Sequence, residues 1–213
     1  MATMDPIQLE NLDQAIELFG TSNPLPPRPT GLEKKQIIDH SVSGNIFRVF
    51  PTKDMAPSSC YRAWADTAFD PLKQAIEQVN TIQEYDETIQ QFALQLARYW
   101  EVNRGIKLPY GPATKMINLL VKLMHLNNDI TLPTLPHFSN VPFDSFTLVP
   151  LINIIDELLQ DRPYGIAMNQ QMTMNYVTSQ SLYAELQEAV RTLCARVHKT
   201  PLDYELWAWD RRH

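Results

Sequence analysis

Residues 107–123 read KLPYGPATKMINLLVKL, and this stretch gives the clearest view of how the chain folds. A Leu-Pro turn with a glycine at position 111 leads directly into an apolar segment with helical spacing, which predicts a helix over residues 109–126. Backbone N–H groups at the start of such a helix lack partners within it, and the helix dipole helps them hold an anion. The turn therefore predicts a phosphate-binding element at the start of an apolar helix.

Helical patterns account for most of the remaining chain. Thr81-x-x-Glu84 forms a capping box that starts a helix running to Trp100, and Ser179 opens an amphipathic helix that runs to Val197. The other segments with helical spacing or cap signals are 5–19, 60–69, the stretch that begins at Asp70-Pro71, 143–159, and a short one from Thr200.

This layout predicts an irregular all-α fold of about seven helices. We expect one domain over residues 1–213, in which 1–59 supply an N-terminal helix and a Pro-rich arm and 60–213 supply the helical core. The Pro-rich arm contains residues 21–30 (TSNPLPPRPT). Residues 45–50 (NIFRVF) alternate apolar and polar side chains and form a possible short N-terminal strand.

The composition narrows the class of protein. An apolar fraction of 44% in 213 residues is enough to bury a core. Cys60 and Cys194 form no C-x-x-C pair, and the five histidines show no ligand spacing, which argues against a disulfide scaffold and a metal site. The chain shows neither a signal-peptide pattern nor an apolar run of membrane-spanning length, so we expect a cytoplasmic protein.

The charge is distributed unevenly along the sequence. The formal net charge of −6 counts against nucleic-acid binding, because most nucleic-acid-binding proteins are basic. Residues 98–125 nevertheless carry five cationic side chains against Glu101 alone: Arg98, Arg104, Lys107, Lys115 and Lys122. A local excess of this kind can bind a DNA backbone even in an acidic protein.

A second segment with chemical potential follows at residues 137–146, which read HFSNVPFDSF. Asp144 comes just after a proline and opens a very apolar stretch predicted to be helical. An aspartate in this position serves as a helix cap, or as a carboxylate held near a cleft.

The segments LPYGPATK and VPFDSF resemble the catalytic core of helix-hairpin-helix DNA glycosylases. In that family a Leu-Pro-Gly hairpin grips the DNA backbone, the next helix often carries a catalytic lysine, and a Val-Pro-x-Asp segment presents a required aspartate. The separation of 29 residues between Lys115 and Asp144, together with a second lysine at position 122, is similar to the archaeal 8-oxoguanine glycosylase branch. The hairpin departs from the family pattern, because it has one glycine and its lysine lies two residues later than in Gly-x-Gly-x-Lys.

The resemblance covers about residues 98–155 and implies a helix-hairpin-helix-like element and an enzyme that excises a damaged or modified base. Its partner would be double-stranded DNA with the target base flipped out of the stack. Asp144 would be the essential carboxylate, and Lys115 the Schiff-base nucleophile or a group that positions DNA. The expected DNA contacts are Lys107, Tyr110, Gly111, Ala113, Lys122 and Arg104, and the expected base-pocket residues are Trp100, His137 and Phe143. Neither mechanism needs a metal or an organic cofactor.

The residues leave alternatives open. Lys115 is also explained as a solvated helix residue, Asp144 as a plain helix cap, and His137 as a loop residue. A non-catalytic DNA-binding module and a helical protein-interaction module are the alternatives for the whole chain. The substrate is open as well: oxidised guanine follows from the resemblance, and a modified cytosine of the phage type fits the chemistry equally, which leaves both DNA repair and phage defence as roles.

Overall fold

The computed structural model describes residues 6–23, 31–51, 55–159, 168–169 and 171–210. All regular structure in these ranges is helical, which confirms the expected all-α class for the described part of the chain. In chain order the helices are α1 (Leu12–Gly20), α2 (Lys34–Ser41), α3 (Gly44–Phe47), α4 (Pro57–Glu77), α5 (Ile82–Arg104), α6 (Tyr110–Leu126), α7 (Leu135–Phe138), α8 (Ser145–Leu148), α9 (Ile155–Leu158), α10 (Gln180–Arg196) and α11 (Pro201–Asp210). Short 3-10 turns cover Val149–Leu151 and Met174–Tyr176.

The chain divides into two compact units. One comprises Pro27–Phe138 and is called the mid-chain unit here. The other combines Met1–Pro26 with Ser139–His213 and is called the terminal unit. The boundary at 138/139 lies inside the HFSNVPFDSF segment, so α6 and Asp144 belong to different units. The expectation of one domain over residues 1–213 stays a prediction.

The mid-chain unit is organised around α6. This helix packs against α2 and α5, while α4 packs against the same two helices. Every residue from Gly111 to Asn118 is buried, so α6 presents no solvated face along its first two turns. A helix that is buried on all sides belongs to the core of its fold.

In the terminal unit, α10 packs against α9 and α11, and α11 also contacts α8. Gln187 on α10 holds the segment before α8 with two hydrogen bonds: its Nε2 donates to the Val141 carbonyl (2.8 Å), and its Oε1 accepts from the Val141 N–H (3.0 Å). Phe19 of α1 packs against Tyr204 and Trp207 of α11, with ring centroids 5.8 and 5.1 Å apart. The aromatic packing between α1 and α11 thus joins the two parts of the sequence that make up the terminal unit.

Three helix boundaries agree closely with the sequence signals. Thr81 caps α5 by accepting from the Glu84 N–H (3.1 Å), and Ser179 caps α10 by accepting from the Leu182 N–H (3.2 Å). Helix α6 runs over Tyr110–Leu126, with Pro109 as its N-cap. Local cap chemistry is enough to place such boundaries, because the partners lie within one turn.

Four predictions about elements are wrong. The first helix, expected over residues 5–19, starts at Leu12, where the Asn11 side chain accepts from the Gln14 N–H (2.9 Å). Residue 5 lies outside the described residues. Residues 45–50 form no strand, since α3 and a turn occupy them, with Ile46 and Phe47 both buried. The remaining two errors concern helix continuity.

One predicted break is absent, and one predicted helix is interrupted. Helix α4 continues through Asp70-Pro71 without a new start, so the two helices expected there are a single one of 21 residues. Residues 143–159 form α8, a 3-10 turn and α9 in succession. Pro150, at the start of the 3-10 turn, lacks the N–H that an α-helix would need there, which explains the interruption. Residues 24–30 of the Pro-rich arm lie outside the described residues.

No helix of the described part is both long and apolar enough to span a membrane.

Candidate functional site

The KLPY turn joins α5 to α6 in the mid-chain unit. Gly105 ends α5 in the left-handed conformation (φ 61°) and donates to the Glu101 carbonyl (2.8 Å). A β-carbon is disfavoured at this backbone angle, so the glycine suits the turn. Lys107 and Pro109 are exposed and Tyr110 is half-buried, whereas Gly111 and Ala113 are buried. The accessible part of the turn is therefore its first half.

Tyr110 is the first helical residue of α6. Burial, reinforced by the negative charge of Asp86, raises the pKa of the Tyr110 phenol to about 12. A phenol is already protonated at neutral pH, and the shift extends the protonated range to higher pH. A protonated phenol at this turn can donate a hydrogen bond to an anion.

Lys115 lies in the second turn of α6 and is 7% exposed. This burial removes the explanation of Lys115 as an ordinary solvated helix residue. Long cationic side chains are rarely buried to this extent, and burial is common where a lysine has a specific role. Lys122, two turns further on, is half-buried.

The five cations of residues 98–125 differ widely in accessibility. Arg98 and Lys107 are exposed and Lys122 is half-buried, while Arg104 and Lys115 are buried. The local excess of positive charge seen in the sequence is thus only partly displayed at the surface. Any phosphate contact from this region depends first on Lys107 and Arg98.

Arg104 and Trp100 form a buried pair in the mid-chain unit. The Arg104 guanidinium lies 4.7 Å from the Trp100 ring centroid, and Nε donates to the Met55 carbonyl (2.9 Å) while Nη2 donates to the Pro51 carbonyl. Trp100 is fully buried and also packs edge-on against Phe50, with centroids 5.0 Å apart. Both side chains hold the segment before α4. Neither side chain is therefore part of the proposed site, although the resemblance implied a DNA contact for Arg104 and a place in the base pocket for Trp100.

In the terminal unit, Asp144 caps α8. Its Oδ1 accepts from the N–H of Phe146 (2.9 Å) and of Thr147 (3.3 Å), and its own N–H donates to the Thr147 hydroxyl (2.9 Å). The capping role considered for Asp144 is thereby confirmed. The residue is 9% exposed, so its carboxylate is held in a fixed position and largely removed from water.

Aromatic side chains surround the segment that Asp144 starts. Tyr204 is fully buried, and its pKa is raised well above the usual value by burial, with further contributions from Cys194 and Asp144. Phe146 packs on Trp209 with centroids 4.9 Å apart. Phe143 is 3% exposed and meets Tyr183 edge-on at 5.9 Å, so in this structure it packs in the core.

His137 belongs to the mid-chain unit and is exposed in α7. It lies in a short helix and not in the loop considered as its alternative. The side chain is exposed there, and its role at a base stays a prediction.

Among the described residues, no group of three or more His, Cys, Asp and Glu side chains is arranged to hold a metal ion. Cys60 and Cys194 are both buried and unpaired, and burial raises the pKa of each thiol. Thiolates are the reactive form of cysteine, so neither side chain is set up as a nucleophile.

An open cleft in the mid-chain unit has no counterpart among the sequence predictions. It has a volume of about 440 Å³ and lies between the end of α2, α3 and the first turns of α4. Its polar lining includes His40, Ser58 and Arg62. These residues form no motif, because His40 in α2 precedes Ser58 and Arg62 of α4 by 18 and 22 positions, and only the fold brings the two helices together here.

In comparisons with protein-family models, curated proteins and solved structures, nothing matches this chain.

Proposed function

We propose that the chain is a DNA N-glycosylase that removes a damaged or modified base from double-stranded DNA. The observation that carries the proposal is the state of Asp144 in the VPFD segment: a carboxylate that is 9% exposed and fixed by backbone N–H groups. Support also comes from the likeness of residues 107–115 and 141–146 to the hairpin and aspartate segments of helix-hairpin-helix glycosylases.

The chemistry needs a carboxylate with these properties. An N-glycosidic bond breaks through a state with positive charge on the sugar, as in glycoside hydrolysis. A negative group that is already oriented and partly desolvated stabilises this charge without reorganising during the reaction. The same carboxylate can accept a proton from the attacking water. Asp144 is the residue we assign to these roles.

Lys115 has two possible parts in the reaction. As a nucleophile, its neutral amine attacks the sugar C1′ carbon, and the base leaves with the electron pair of the glycosidic bond and takes up a proton. The C1′–O4′ bond then breaks, O4′ is protonated by the proton that the amine loses, and a Schiff base between Lys115 and the opened sugar results, which opens the way to strand cleavage. As a positioning group, it keeps its charge and pairs with a phosphate. Its burial supports a specific role, and the two parts are separated by trapping the Schiff base with borohydride.

Contact with DNA would begin at the exposed half of the KLPY turn. Lys107 is accessible there, and Tyr110 is half-buried at the start of α6. Lys122 adds a half-buried cation on the same helix. Since the protein as a whole carries a net charge of −6, we expect weak non-specific binding that falls steeply with salt.

The test is base release from a panel of duplexes and phage DNAs that carry oxidised guanine or modified cytosine. Wild type is compared with Asp144→Asn, because asparagine preserves the cap while removing the charge. Asp203→Asn is the matched control, since Asp203 is a second carboxylate of the terminal unit that accepts from the Thr200 N–H (2.8 Å). We expect release by wild type and Asp203→Asn and none by Asp144→Asn. Full release by Asp144→Asn would disprove the mechanism.

Borohydride trapping on the substrate identified in this way decides the part of Lys115. A covalent adduct with wild type that disappears in Lys115→Gln and persists in Lys122→Gln would make Lys115 the nucleophile. Base release without an adduct, leaving only alkali-labile sites, would assign the protein to the monofunctional class. In that case Lys115 is a positioning residue.

A helical protein-interaction module is the second candidate function. Helix α5 leaves Leu94 and Val102 exposed, at 46% and 84%, with Arg98 between them one turn from each. Exposed apolar side chains flanking an arginine are frequent in protein interfaces. Absence of both DNA binding and base release would favour this candidate.

A further inference from the structure

The cleft between α2, α3 and α4 combines an apolar part with several polar side chains. Val42 and Phe47 are buried and form the apolar part. Asp39, His40, Ser43, Ser58 and Arg62 form the polar lining. A volume of about 440 Å³ falls in the range of small-molecule sites. The whole cleft lies within the mid-chain unit.

Arg62 is the central group of this lining. Its Nε lies 2.6 Å from Oδ1 of Asp39, and the two side chains are 48% and 36% exposed. Among the described residues, Arg62 makes no other hydrogen bond or ion pair, so Nη1 and Nη2 remain available as donors. The carboxylate contacts Nε and leaves the Nη1–Nη2 edge of the guanidinium open. That edge matches two oxygens of a phosphate or carboxylate.

The other polar groups of the lining are mostly potential donors. The hydroxyls of Ser43 and Ser58 and the ring of His40 form no hydrogen bond with another described residue. Ser58 is also the second residue of α4, a helix of 21 residues whose N-cap is Ala56 and which therefore has no side-chain cap. In the first turn of α4, Pro57 has no N–H and the Cys60 N–H donates to the Ala56 carbonyl (3.0 Å), so the backbone donors added to Arg62 and the hydroxyls are the N–H groups of Ser58 and Ser59. Among the described residues that line the cleft, Asp39 is the one acidic group, and it is paired with Arg62.

We infer that this cleft binds the phosphate group of a small phosphorylated ligand. Arg62 would hold two phosphate oxygens through Nη1 and Nη2, and Ser58 and Ser43 would donate to the remaining oxygen. The apolar part beside Phe47 would accommodate the group that carries the phosphate. The inference does not depend on the glycosylase proposal, because none of its residues belongs to the DNA-contact or catalytic set.

The test is titration of the ¹⁵N-labelled full chain with inorganic phosphate and with adenosine monophosphate, followed by amide chemical shifts. We expect shifts confined to residues 39–47 and 58–62. Arg62→Gln should weaken phosphate binding about three- to tenfold, the loss expected for a partly exposed charge-assisted contact. Arg48→Gln is the matched control, because Arg48 is exposed just after α3 and does not line the cleft.

Two further comparisons complete the test. Ser58→Ala removes one donor without touching the Arg62–Asp39 pair, so it keeps the inference testable if Arg62→Gln lowers the melting temperature. Tighter binding of the nucleotide than of phosphate would show that the apolar part contributes, and equal affinities would limit recognition to the phosphate. Equal weakening by Arg62→Gln and Arg48→Gln, or shifts spread outside the cleft, would overturn the inference.

A 5′-phosphorylated single-stranded oligonucleotide and its unphosphorylated form distinguish a free ligand from a nucleic-acid end. Equal shifts with both forms would mean that the cleft does not recognise a terminal phosphate, which counts against a nucleic-acid end as the source of the phosphate. Base release by Arg62→Gln should equal that of wild type. A failure of the phosphate inference is therefore visible separately from a failure of the proposed enzyme activity.

Discussion

The Tyr204 hydroxyl donates a hydrogen bond to the Thr147 carbonyl at 2.8 Å, and both groups are fully buried. This bond joins α11 to α8, the short helix that Asp144 caps. Because α8 has only four residues, its geometry depends on contacts of this kind more than on its own helical hydrogen bonds. The position of the Asp144 carboxylate is thus coupled to the C-terminal helix.

Tyr204→Phe tests this coupling. The substitution leaves the Thr147 carbonyl buried without that donor, so we expect a loss of about 1–2 kcal/mol in the free energy of unfolding, measured with urea. Tyr99→Phe is the control, since the half-buried Tyr99 hydroxyl makes no hydrogen bond with another described residue. If the glycosylase proposal holds, Tyr204→Phe should also slow base release while Tyr99→Phe does not. Equal stability of the two variants would contradict the coupling.

Two substitutions of Asp144 separate its capping role from its charge. Asp144→Ala removes the acceptor of the Phe146 and Thr147 N–H groups, which should cost about 1 kcal/mol of stability. Asp144→Asn keeps an acceptor and should lower the free energy of unfolding by only a few tenths of a kcal/mol. We expect base release to be lost in both. If base release decreases only in proportion to the loss of stability, so that Asp144→Asn is nearly as active as wild type, Asp144 serves only as a helix cap.

Local cap signals correctly predicted where several helices start. Whether a helix continues through a proline depends on tertiary packing, which the local sequence does not show. Thr81 and Ser179 lie within one turn of the N–H groups that they cap, so the sequence contains the whole interaction. Pro71 was expected to start a new helix, yet α4 continues through it. Ala68, Phe69 and Leu72 are buried on either side of the exposed Pro71, and this burial outweighs the intrinsic cost of the proline.

The candidate site shows the same division between local and tertiary information. The cap at Asp144 and the turn before α6 could be predicted from the sequence, because both depend on interactions between neighbouring residues. The sequence did not predict that Arg104 is buried with its guanidinium bound to the Pro51 and Met55 carbonyls. These partners are 53 and 49 residues away in the sequence. The cleft at Arg62 was missed for the same reason. The sequence shows where the cationic residues are, but it does not show whether their side chains are exposed to solvent or buried in the core.

Arg104 and Lys107 are three residues apart and should behave in opposite ways. Arg104→Ala leaves two backbone carbonyls without their donors and should lower the free energy of unfolding by about 2–4 kcal/mol. Lys107→Gln changes an exposed side chain and should leave stability unchanged within about 0.5 kcal/mol. Urea unfolding followed by tryptophan fluorescence measures both.

The same pair gives opposite expectations for DNA binding. Lys107→Gln should weaken binding to any duplex and reduce the slope of log K against log salt by about 1, the value for one phosphate contact. Arg104→Gln, studied under conditions where it stays folded, should leave that slope unchanged because the guanidinium is buried. An unchanged slope for Lys107→Gln would remove the KLPY turn from the proposed DNA interface.

His125 predicts how stability responds to mild acid. It is half-buried in the last turn of α6, and its Nδ1 has no hydrogen-bond partner among the described residues. Burial lowers the pKa of the imidazole from 6.5, although a hydrogen bond with the Ile130 backbone opposes the shift. The unfolded chain therefore binds the proton more readily than the folded one. The stability contributed by neutral His125 is present above pH 6.5 and is lost as the pH falls below that value.

His125→Gln isolates this contribution, because glutamine stays neutral over the whole range. We expect the urea concentration at the unfolding midpoint of wild type to decrease as the pH is lowered from about 7.5 to about 5.5. The decrease should be smaller in the variant. His137→Gln is the control, since His137 is exposed in the same unit and should leave the wild-type decline unchanged. Parallel declines in wild type and His125→Gln would mean that other groups set the acid sensitivity. A shallower decline in His125→Gln alone would show that desolvation of the imidazole outweighs the attraction of the α6 C-terminus for its charge.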